Sequence, residues 1–361
     1  MPPVPPPLPP PLSPPRSAAR LRLAWLLCRR LALPAAAAAA AATAVAAAAG
    51  YPSPATLAAT ALCMAGVAPP RSVPAGVGHR GAEGSAVENS LPALAAGAAA
   101  VGSVETDVTL SAEGTAWLFH DDTLDAMAAN GAGPACAATD AALRRVAVHG
   151  GAAFGLAGVT APLAELTPAL AAGGDAVEWM LDIKTCRWPG GLPPGVALPP
   201  GVTVDDAPAG DGRVACGPLV EAVAGSLAAA NVSTDRVVFT STQASALGAV
   251  RHRWPTAAAV LSRDAKVAWW RRRTLEAEFA PWTGGALEWR LVVARPDVVA
   301  SINARGGRVY GWTVRSDGAW RGVACGGRGG GLRATRSAWP RGGRASESRS
   351  GGMYSMTITG Q

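Results

Sequence analysis

The residues whose types could carry out chemistry lie close together, between positions 78 and 121 of this 361-residue chain. Histidine exchanges protons near neutral pH, and carboxylates bind hard cations such as Mg²⁺ and Ca²⁺. The segment contains both kinds of side chain, at His79, Glu88, Glu105, Asp107, His120 and Asp121, together with the polar residues Arg80 and Asn89. We therefore expect a site that combines proton transfer with a divalent cation held by carboxylates.

Glu105 and Asp107 belong to the run VGSVETDVTL, whose alternation of polar and apolar residues is typical of a β-strand. Successive residues of a strand point to opposite faces, so these two carboxylates share one face. Two carboxylates on one face repel each other unless a metal ion or a basic group compensates their charge. The run therefore predicts a strand that presents a cation site.

Short apolar strands alternate with alanine-rich helical stretches between residues 76 and 315. The predicted strands are 76–79, 101–109, 116–120, 176–184, 236–241, 257–261 and 308–314. The predicted helices are 90–100, 139–147, 163–172, 217–230, 243–253 and 294–305. Such alternation indicates an α/β fold with a parallel sheet and crossover helices. No glycine-rich phosphate loop opens a helix, and the reactive residues follow strands, so we predict a (β/α)8 TIM-type barrel rather than an open sheet.

Four motifs occur in the order and with the gaps that mark one known family. They are His79-Arg80-Gly81, Glu88-Asn89-Ser90, Glu105-Thr106-Asp107 and His120-Asp121, followed by APLAEL (161–166), LDIK (181–184), DRVVFTS (235–241) and VYGWTV (309–314). Over residues 76–315 the chain thus resembles the glycerophosphodiester phosphodiesterases, in particular their eukaryotic membrane-anchored members. The resemblance implies a metal-dependent hydrolysis of glycerophosphodiesters to glycerol 3-phosphate and an alcohol.

The resemblance also implies a role for individual residues, and one divalent cation, Mg²⁺ or Ca²⁺, as cofactor. It assigns His79, His120, Arg80 and Lys184 to catalysis, Glu105, Asp107, Asp182 and Glu88 to the metal, and Asn89 and Trp312 to the substrate side. The family has Glu-Ile-Lys where this chain has Asp182-Ile183-Lys184, so the third metal ligand is shorter by one methylene group. Two alternative functions stay open: a lysophospholipase D-like activity on lysolipids, and a catalytically impaired, membrane-anchored binding protein.

The charge is unevenly distributed along the chain. The formal net charge is +7, but residues 83–315 contain 18 basic and 23 acidic residues, so both ends are basic and the middle is acidic. An acidic central segment argues against nucleic acid as a partner. The partner that the resemblance implies is a small-molecule glycerophosphodiester, and composition leaves the oligomeric state open.

Residues 1–75 have the composition of a targeting region. A proline-rich start is followed by arginines, by an alanine-rich run at 31–50 and by a second apolar stretch at 55–68, with no acidic residue before Glu83. Three interpretations remain: a signal anchor, a cleaved signal or plastid-type transit peptide, or low-complexity sequence. The anchor predicts a luminal or extracellular catalytic domain, and the cleaved peptide predicts a secreted or plastid protein. The sequon at Asn231 predicts N-glycosylation in a secretory compartment.

Two further expectations concern the cysteines and the C-terminus. Cys186 precedes a proline- and glycine-rich insert at 187–217, and Cys216 lies near its end. We expect a disulfide between these two cysteines. Residues 316–361 are rich in glycine, arginine and serine, which predicts disorder. The last strand of the barrel is then missing or altered, and this is the reason for keeping the binding-protein alternative.

Overall fold

The computed structural model describes residues 54–68, 75–82, 86–126, 131–148, 160–172, 177–184, 216–265, 275–326, 333–334 and 357–359. Apart from Pro54, these residues belong to one compact unit, Ala55–Gln361. The alanine-rich run at 31–50 and most of the insert at 187–217 lie outside the described residues. None of the described helices combines the length and the apolarity that a membrane span requires.

Strands and helices alternate along most of the described chain. The strands are β1 (Ala75–Val77), β2 (Ser103–Leu110), β3 (Ala116–Leu118), β4 (Glu178–Ile183), β5 (Val237–Ser241), β6 (Ala258–Arg263), β7 (Gly284–Glu288), β8 (Arg308–Trp312), β9 (Arg333–Ala334) and β10 (Thr357–Thr359). The helices are α1 (Pro54–Met64), α2 (Leu91–Val101), α3 (Asp140–Leu143), α4 (Leu163–Ala172), α5 (Gly217–Ala229), α6 (Ala244–Arg253), α7 (Leu275–Phe279), α8 (Trp289–Ala294), α9 (Pro296–Ala304) and α10 (Asp317–Gly326).

The main sheet has the order β3-β2-β4-β5-β6-β7-β8, and every pair except β3–β2 is parallel. Strand β1 joins β2 in parallel through Gly78, whose backbone N–H donates to the Ser103 carbonyl oxygen at 2.9 Å. Seven described strands (β1, β2 and β4 to β8) therefore run in the order of a barrel. The predicted α/β class and TIM-type barrel are confirmed. The predicted strand at 116–120 is present as β3. It pairs antiparallel with β2 and is not one of the parallel barrel strands.

A layer of inward-facing apolar side chains fills the barrel beneath the carboxyl ends of the strands. Each of six strands contributes one residue to it: Val77, Met180, Val238, Val260, Ala286 and Tyr310. Larger clusters fill the space between the sheet and the helices, with Leu94 and Phe239 in one and Phe279 and Val309 in another. Inward-facing residues on the carboxyl-terminal side of this layer line the cavity at the strand ends. Active sites of such barrels lie at this end.

Strand β7 was not predicted, because its first two residues are glycines and glycine is depleted in strands. The packing requires them. A Cβ atom on Gly285 would lie 2.8 Å from Cδ1 of Ile302 and 2.9 Å from Cε1 of Phe279, and one on Gly284 would collide with the carbonyl oxygen of Arg308. The glycines allow β8 and the flanking helices to approach β7 closely.

The structure corrects the expectation that the chain is disordered from residue 316 onward. Residues 317–326 form α10, and β10 pairs antiparallel with β1, with Ala75 opposite Thr359, and with β9. The described strands thus include an antiparallel partner for β1 and no eighth parallel barrel strand. This arrangement agrees with the expectation that the last barrel strand is missing or altered.

Helix α10 was not predicted, because small residues and not large apolar ones form much of its buried face. A Cβ atom on Gly322 would lie 3.0 Å from Cγ2 of Val293, and one on Gly326 would lie 2.7 Å from the carbonyl oxygen of Val292. Glycine at these positions lets α10 pack directly against α8. A glycine-rich composition was therefore misread as disorder when it serves close helix packing.

The disulfide pairing also differs from the prediction. Cys63 of α1 is bonded to Cys325 of α10, across a sequence separation of 262 residues, and Cys136 is disulfide-bonded as well. Cys216 is a reduced, buried thiol, with its Sγ 3.8 Å from Oγ of Ser245. The predicted bond between Cys186 and Cys216 is therefore wrong. Cys186 lies outside the described residues, and the Cys216 side chain packs into the core at the start of α5.

Loss of the Cys63–Cys325 bond should destabilise the protein, because the cross-link restricts a long loop of the unfolded chain. We expect the Cys63→Ser/Cys325→Ser variant to lose about 3–5 kcal/mol of unfolding free energy. Urea unfolding under oxidising conditions measures the loss. Cys216→Ala is the matched control for removal of a buried cysteine outside the bond. Equal stability of the double variant and the wild type would contradict the prediction.

Candidate active site

The residues predicted to carry chemistry converge on one cavity of about 160 Å³ at the carboxyl ends of the barrel strands. Its lining includes His79, Arg80, Glu105, Asp107, His120, Asp182, Lys184 and Trp312. Segments from residue 79 to residue 313 thus contribute to one site. Glu88 and Asn89 are not among its lining residues.

Three carboxylates form a cluster that suits a metal ion. Oxygen atoms of Glu105, Asp107 and Asp182 all lie within 4.8 Å of one another. The parallel register sets Asp107 of β2 directly opposite Asp182 of β4. In addition, Oδ1 of Asp182 is buried and has no hydrogen-bond partner among the described residues. An all-oxygen set with one unpaired buried oxygen fits a hard divalent cation such as Mg²⁺ or Ca²⁺.

The three carboxyl groups differ in their electrostatics. Burial, followed by repulsion from Asp107, raises the pKa of Glu105 well above its ordinary value, and burial also raises the pKa of Asp182. Burial acts on Asp107 in the same direction, but Lys184 and other basic groups outweigh it and hold the pKa of Asp107 well below its usual range. Asp107 is therefore the most readily ionised of the three, and added positive charge favours ionisation of the other two.

Lys184 supplies part of that charge from the strand end that carries Asp182. Its Nζ lies 2.8 Å from Oδ1 of Asp107 and also contacts Oδ2 of Asp182. Burial opposes the charged form of Lys184, but the two aspartates more than compensate and raise its pKa. Lys184 therefore stays protonated in the cavity.

Asn89 lies behind Asp107 and positions it. Its Nδ2 donates to Oδ2 of Asp107 at 2.8 Å, while its Oδ1 accepts from the backbone N–H of Asp107 at 3.0 Å and from Oγ1 of Thr106 at 2.9 Å. The residue is buried and has a φ of 56°, a left-handed conformation that asparagine adopts more readily than most residues. The expectation that Asn89 binds substrate is therefore corrected, because both atoms of its amide group are hydrogen-bonded to residues of β2.

Glu88 binds Arg80 and does not join the carboxylate cluster. Its Oε1 lies 2.6 Å from Nη1 of Arg80, whose Nε lies 3.2 Å from Oδ2 of Asp107. The backbone N–H of Arg80 donates to Oε2 of Glu105 at 2.8 Å. The expectation that Glu88 is a metal ligand is thus corrected: its carboxylate fixes the guanidinium, which lines the cavity.

The two predicted histidines both line the cavity. His79 follows β1 and is buried, and His120 follows β3. Nδ1 of His120 contacts Oδ1 of Asp121, and this hydrogen bond lowers the pKa of Asp121. The contact fixes the ring and leaves Nε2 as the nitrogen that can exchange a proton with a ligand.

Sequence reasoning missed the other half of the cavity wall. That half is lined by Thr240, Thr242, Ser262, Ala286 and Thr313, beside the predicted Trp312. Small polar residues at strand ends are too common to stand out in one sequence. The available signal was alternation in DRVVFTS, which puts Thr240 on the same face as Val238.

Comparison with known proteins agrees with this geometry. The sequence profile described as the glycerophosphoryl diester phosphodiesterase family matches residues 79–328. No protein of curated function matches the chain significantly.

Solved structures of similar fold include three phosphodiesterases. A putative glycerophosphoryl diester phosphodiesterase from Silicibacter pomeroyi is 24% identical, with a TM-score of 0.57 over 71% of this chain and 88% of that one. An Oleispira antarctica phosphodiesterase in complex with the product sn-glycerol-3-phosphate is 22% identical, with a TM-score of 0.53 over 71% and 90%. A putative glycerophosphodiester phosphodiesterase from Galdieria sulphuraria is 16% identical, with a TM-score of 0.52 over 71% and 92%. At these identities the likeness supports the fold.

The carboxylate cluster predicts a stabilising response to Mg²⁺ that depends on Glu105. At a Mg²⁺ concentration one hundred times the Kd, the wild type should gain about 2.7 kcal/mol of unfolding free energy, because the ion binds only the folded state. Glu105→Gln keeps an oxygen for the Arg80 N–H but removes a ligand charge, so it should lose most of this gain. Thermal unfolding with Mg²⁺ or EDTA measures both effects.

The same variant tests the electrostatics without metal. Because the pKa of Glu105 is raised in the folded protein, its ionisation makes the metal-free wild type less stable as the pH rises above the ordinary glutamate value. Glu105→Gln should remove that loss and unfold at a higher temperature in EDTA at neutral pH. Glu221→Gln, at an exposed glutamate, is the control and should leave both the stability in EDTA and the response to Mg²⁺ unchanged. A Glu105→Gln variant that responds to Mg²⁺ as the wild type does would refute the metal site.

Proposed function

The chain belongs to the glycerophosphoryl diester phosphodiesterase family, and from this premise we propose that it hydrolyses glycerophosphodiesters to glycerol 3-phosphate and an alcohol. Family membership makes it a phosphodiesterase. One observation carries the finer proposal: three carboxylates, two histidines, an arginine and a lysine line one cavity at the strand ends. This set matches the two needs of the reaction, which are positive charge at the phosphate and a route for protons.

The phosphodiester is an anion that resists attack, so its oxygens need compensating charge. Glu105, Asp107 and Asp182 are the residues that would hold a divalent cation, which supplies that charge when bound. Arg80 and Lys184 add fixed positive charge in the same cavity. Ligand chemistry suits both Mg²⁺ and Ca²⁺.

His79 and His120 form the proposed acid–base pair. One ring accepts a proton from the nucleophile, water or the neighbouring glycerol hydroxyl, whose oxygen attacks phosphorus. The bond from phosphorus to the departing alcohol then breaks, and the other ring donates a proton to that oxygen. Attack by the glycerol hydroxyl leaves a cyclic phosphate, which water opens in a second step. The contact with Asp121 supports His120 in this role by fixing its orientation.

Asn89 and Glu88 support the reaction indirectly. Asn89 holds the carboxylate and the backbone of Asp107, and Glu88 holds the guanidinium of Arg80. Asn89 restricts the rotamer of Asp107, which repulsion from Glu105 would otherwise displace, and Glu88 restricts the rotamer of Arg80. Pre-organisation of this kind lowers the reorganisation needed when the substrate binds.

We also propose that the catalytic unit lies in a luminal or extracellular compartment, next to a membrane anchor in the N-terminal segment. The Cys63–Cys325 bond and the disulfide at Cys136 support an oxidising compartment. Helix α1 and the turn after it contribute a second argument. They expose Leu57, Leu62 and Val67, by 43%, 49% and 73% of their surface. A lipid surface would cover such residues favourably.

The full-length protein should release glycerol 3-phosphate from a glycerophosphodiester with Mg²⁺ or Ca²⁺ and lose this activity in EDTA. His120→Ala should lower kcat by about 10²–10⁴-fold, the usual contribution of a general acid or base. The matched control is His252→Ala, an exposed histidine at the end of α6. A metal-loaded, folded protein without turnover would instead support a binding function.

Glycosylation at Asn231 tests the compartment. The residue is exposed in the turn after α5, so an oligosaccharide transferase can reach its side chain. Expression in a secretory host should give a protein whose mass falls by one N-glycan on treatment with an N-glycosidase. Asn231→Gln should abolish the shift. An unmodified, fully reduced protein in the cytosol would contradict the proposed compartment.

A further inference from the structure

Side chains tie neighbouring strands together at their carboxyl ends, around the cavity. Oγ of Ser241, at the end of β5, donates to the carbonyl oxygen of Ile183, the last residue of β4, at 2.8 Å. Oε2 of Glu288, the last residue of β7, accepts from the backbone N–H of Ala265, which follows β6, at 2.8 Å. These bonds join β5 to β4 and β7 to β6. A link between β5 and β6 would connect the two pairs of strands.

Arg263, the last residue of β6, supplies that link. Its Nη1 donates to the carbonyl oxygen of Thr242, which follows β5, at 2.7 Å and to that of Ser262 at 2.9 Å. The backbone register of β5 and β6 ends with Ser241 opposite Leu261. The guanidinium therefore bridges the two strands at the point where their backbone pairing stops.

Glu278 of α7 holds the same guanidinium at its other edge. Oε2 of Glu278 accepts from Nε of Arg263 at 2.9 Å, and only 16% and 12% of the two side chains are exposed. A guanidinium is planar and holds its N–H groups in fixed directions, so the bond to Glu278 also aims Nη1 at the carbonyl oxygens. A buried ion pair is by itself weak evidence for a role in stability, because desolvation offsets the attraction.

We propose that Arg263 is a positioning residue for the proposed reaction and acts through Thr242 and Ser262. Both of these residues line the cavity, whereas Arg263 does not. Their backbone carbonyls are the groups that Arg263 binds, so the guanidinium sets where their side chains stand in the wall. The inference rests on the proposed phosphodiesterase function, because that function makes this cavity the substrate site.

Loss of Arg263 should weaken substrate binding and leave the metal site intact. Without the guanidinium, the ends of β5 and β6 separate and displace one wall of the cavity. That wall meets the bound substrate before and during the reaction, so KM should rise about tenfold or more while kcat changes by less than about threefold. The affinity for Mg²⁺ should stay unchanged, because the carboxylate cluster lies on β2 and β4.

The decisive comparison is between Arg263→Met and Arg308→Met in the full-length protein. Arg308 is also a strand-end arginine that pairs with a glutamate, Glu178, but it lies at the amino end of β8, away from the cavity. Turnover of glycerophosphocholine gives KM and kcat. Calorimetry gives the affinities for Mg²⁺ and, in Mg²⁺-loaded protein, for glycerol 3-phosphate, a readout that needs no turnover. Arg263→Met should raise KM and weaken glycerol 3-phosphate binding, and Arg308→Met should change neither.

Two further variants separate geometry from charge. Arg263→Lys keeps the positive charge but has no planar fork, so it should retain most of the rise in KM. Ethylguanidinium in solution should restore the KM of Arg263→Ala towards the wild-type value and should not affect Arg308→Ala. Wild-type KM and wild-type glycerol 3-phosphate affinity in Arg263→Lys would overturn the positioning role in favour of charge, and this comparison also decides if Arg263→Met does not fold.

Other outcomes are equally clear. Weaker Mg²⁺ binding by Arg263→Met, or the same rise in KM in Arg308→Met, would overturn the inference, because the effect would then not be specific to this wall. Weaker glycerol 3-phosphate binding by Arg263→Met, in a protein whose wild type turns over no diester, would support the positioning role and refute the phosphodiesterase function. Diester turnover with an unchanged KM in Arg263→Met would do the reverse.

Discussion

Repulsion among three clustered carboxylates, two of them buried and the third half-buried, is the constraint that organises this protein. Glu105, Asp107 and Asp182 bring oxygen atoms within 4.8 Å of one another in a cavity where water screens charge poorly. Such a cluster is unfavourable in an apoprotein and becomes favourable when a divalent cation binds. The strand register that creates the cluster therefore makes the folded state depend on positive charge, and the surrounding residues serve that need.

The surrounding residues meet the need in two ways. Lys184 and Arg80 contribute charge directly and hold the pKa of Asp107 below its usual range. Asn89 and Glu88 act by position: Asn89 holds the carboxylate of Asp107, and Glu88 holds the guanidinium of Arg80. Neither residue lines the cavity. Arg80 and Asn89 both have left-handed backbone conformations, with φ of 51° and 56°. Such backbone conformations persist where surrounding bonds hold them in place. Here those bonds join Arg80 to Glu105 and Asn89 to Asp107.

The rest of the barrel is adapted to an unusual C-terminus. Helix α10 uses glycines to pack against α8, and the bond between Cys63 and Cys325 ties it to α1. Residues of β10 pair with β1 in an antiparallel register. The described strands include no eighth parallel one, and these features hold the strand ends, and therefore the site, in place. They also connect the stability of the fold to an oxidising environment.

The sequence by itself determined the fold class, the family resemblance and most of the charged residues of the site. Strand alternation fixes which side chains share a face, as for Glu105 and Asp107, and this depends only on local geometry. Only the tertiary structure decided that Glu88 and Asn89 support their neighbours, that Cys63 pairs with Cys325, and that Thr240 and Ser262 line the cavity. Those outcomes depend on which distant segments meet. Alternation within one strand, as in DRVVFTS, predicts the face on which a residue lies but not the residues that it meets there. The glycines of β7 and α10 were misread for the same reason, since the partner that requires their small size lies elsewhere in the chain.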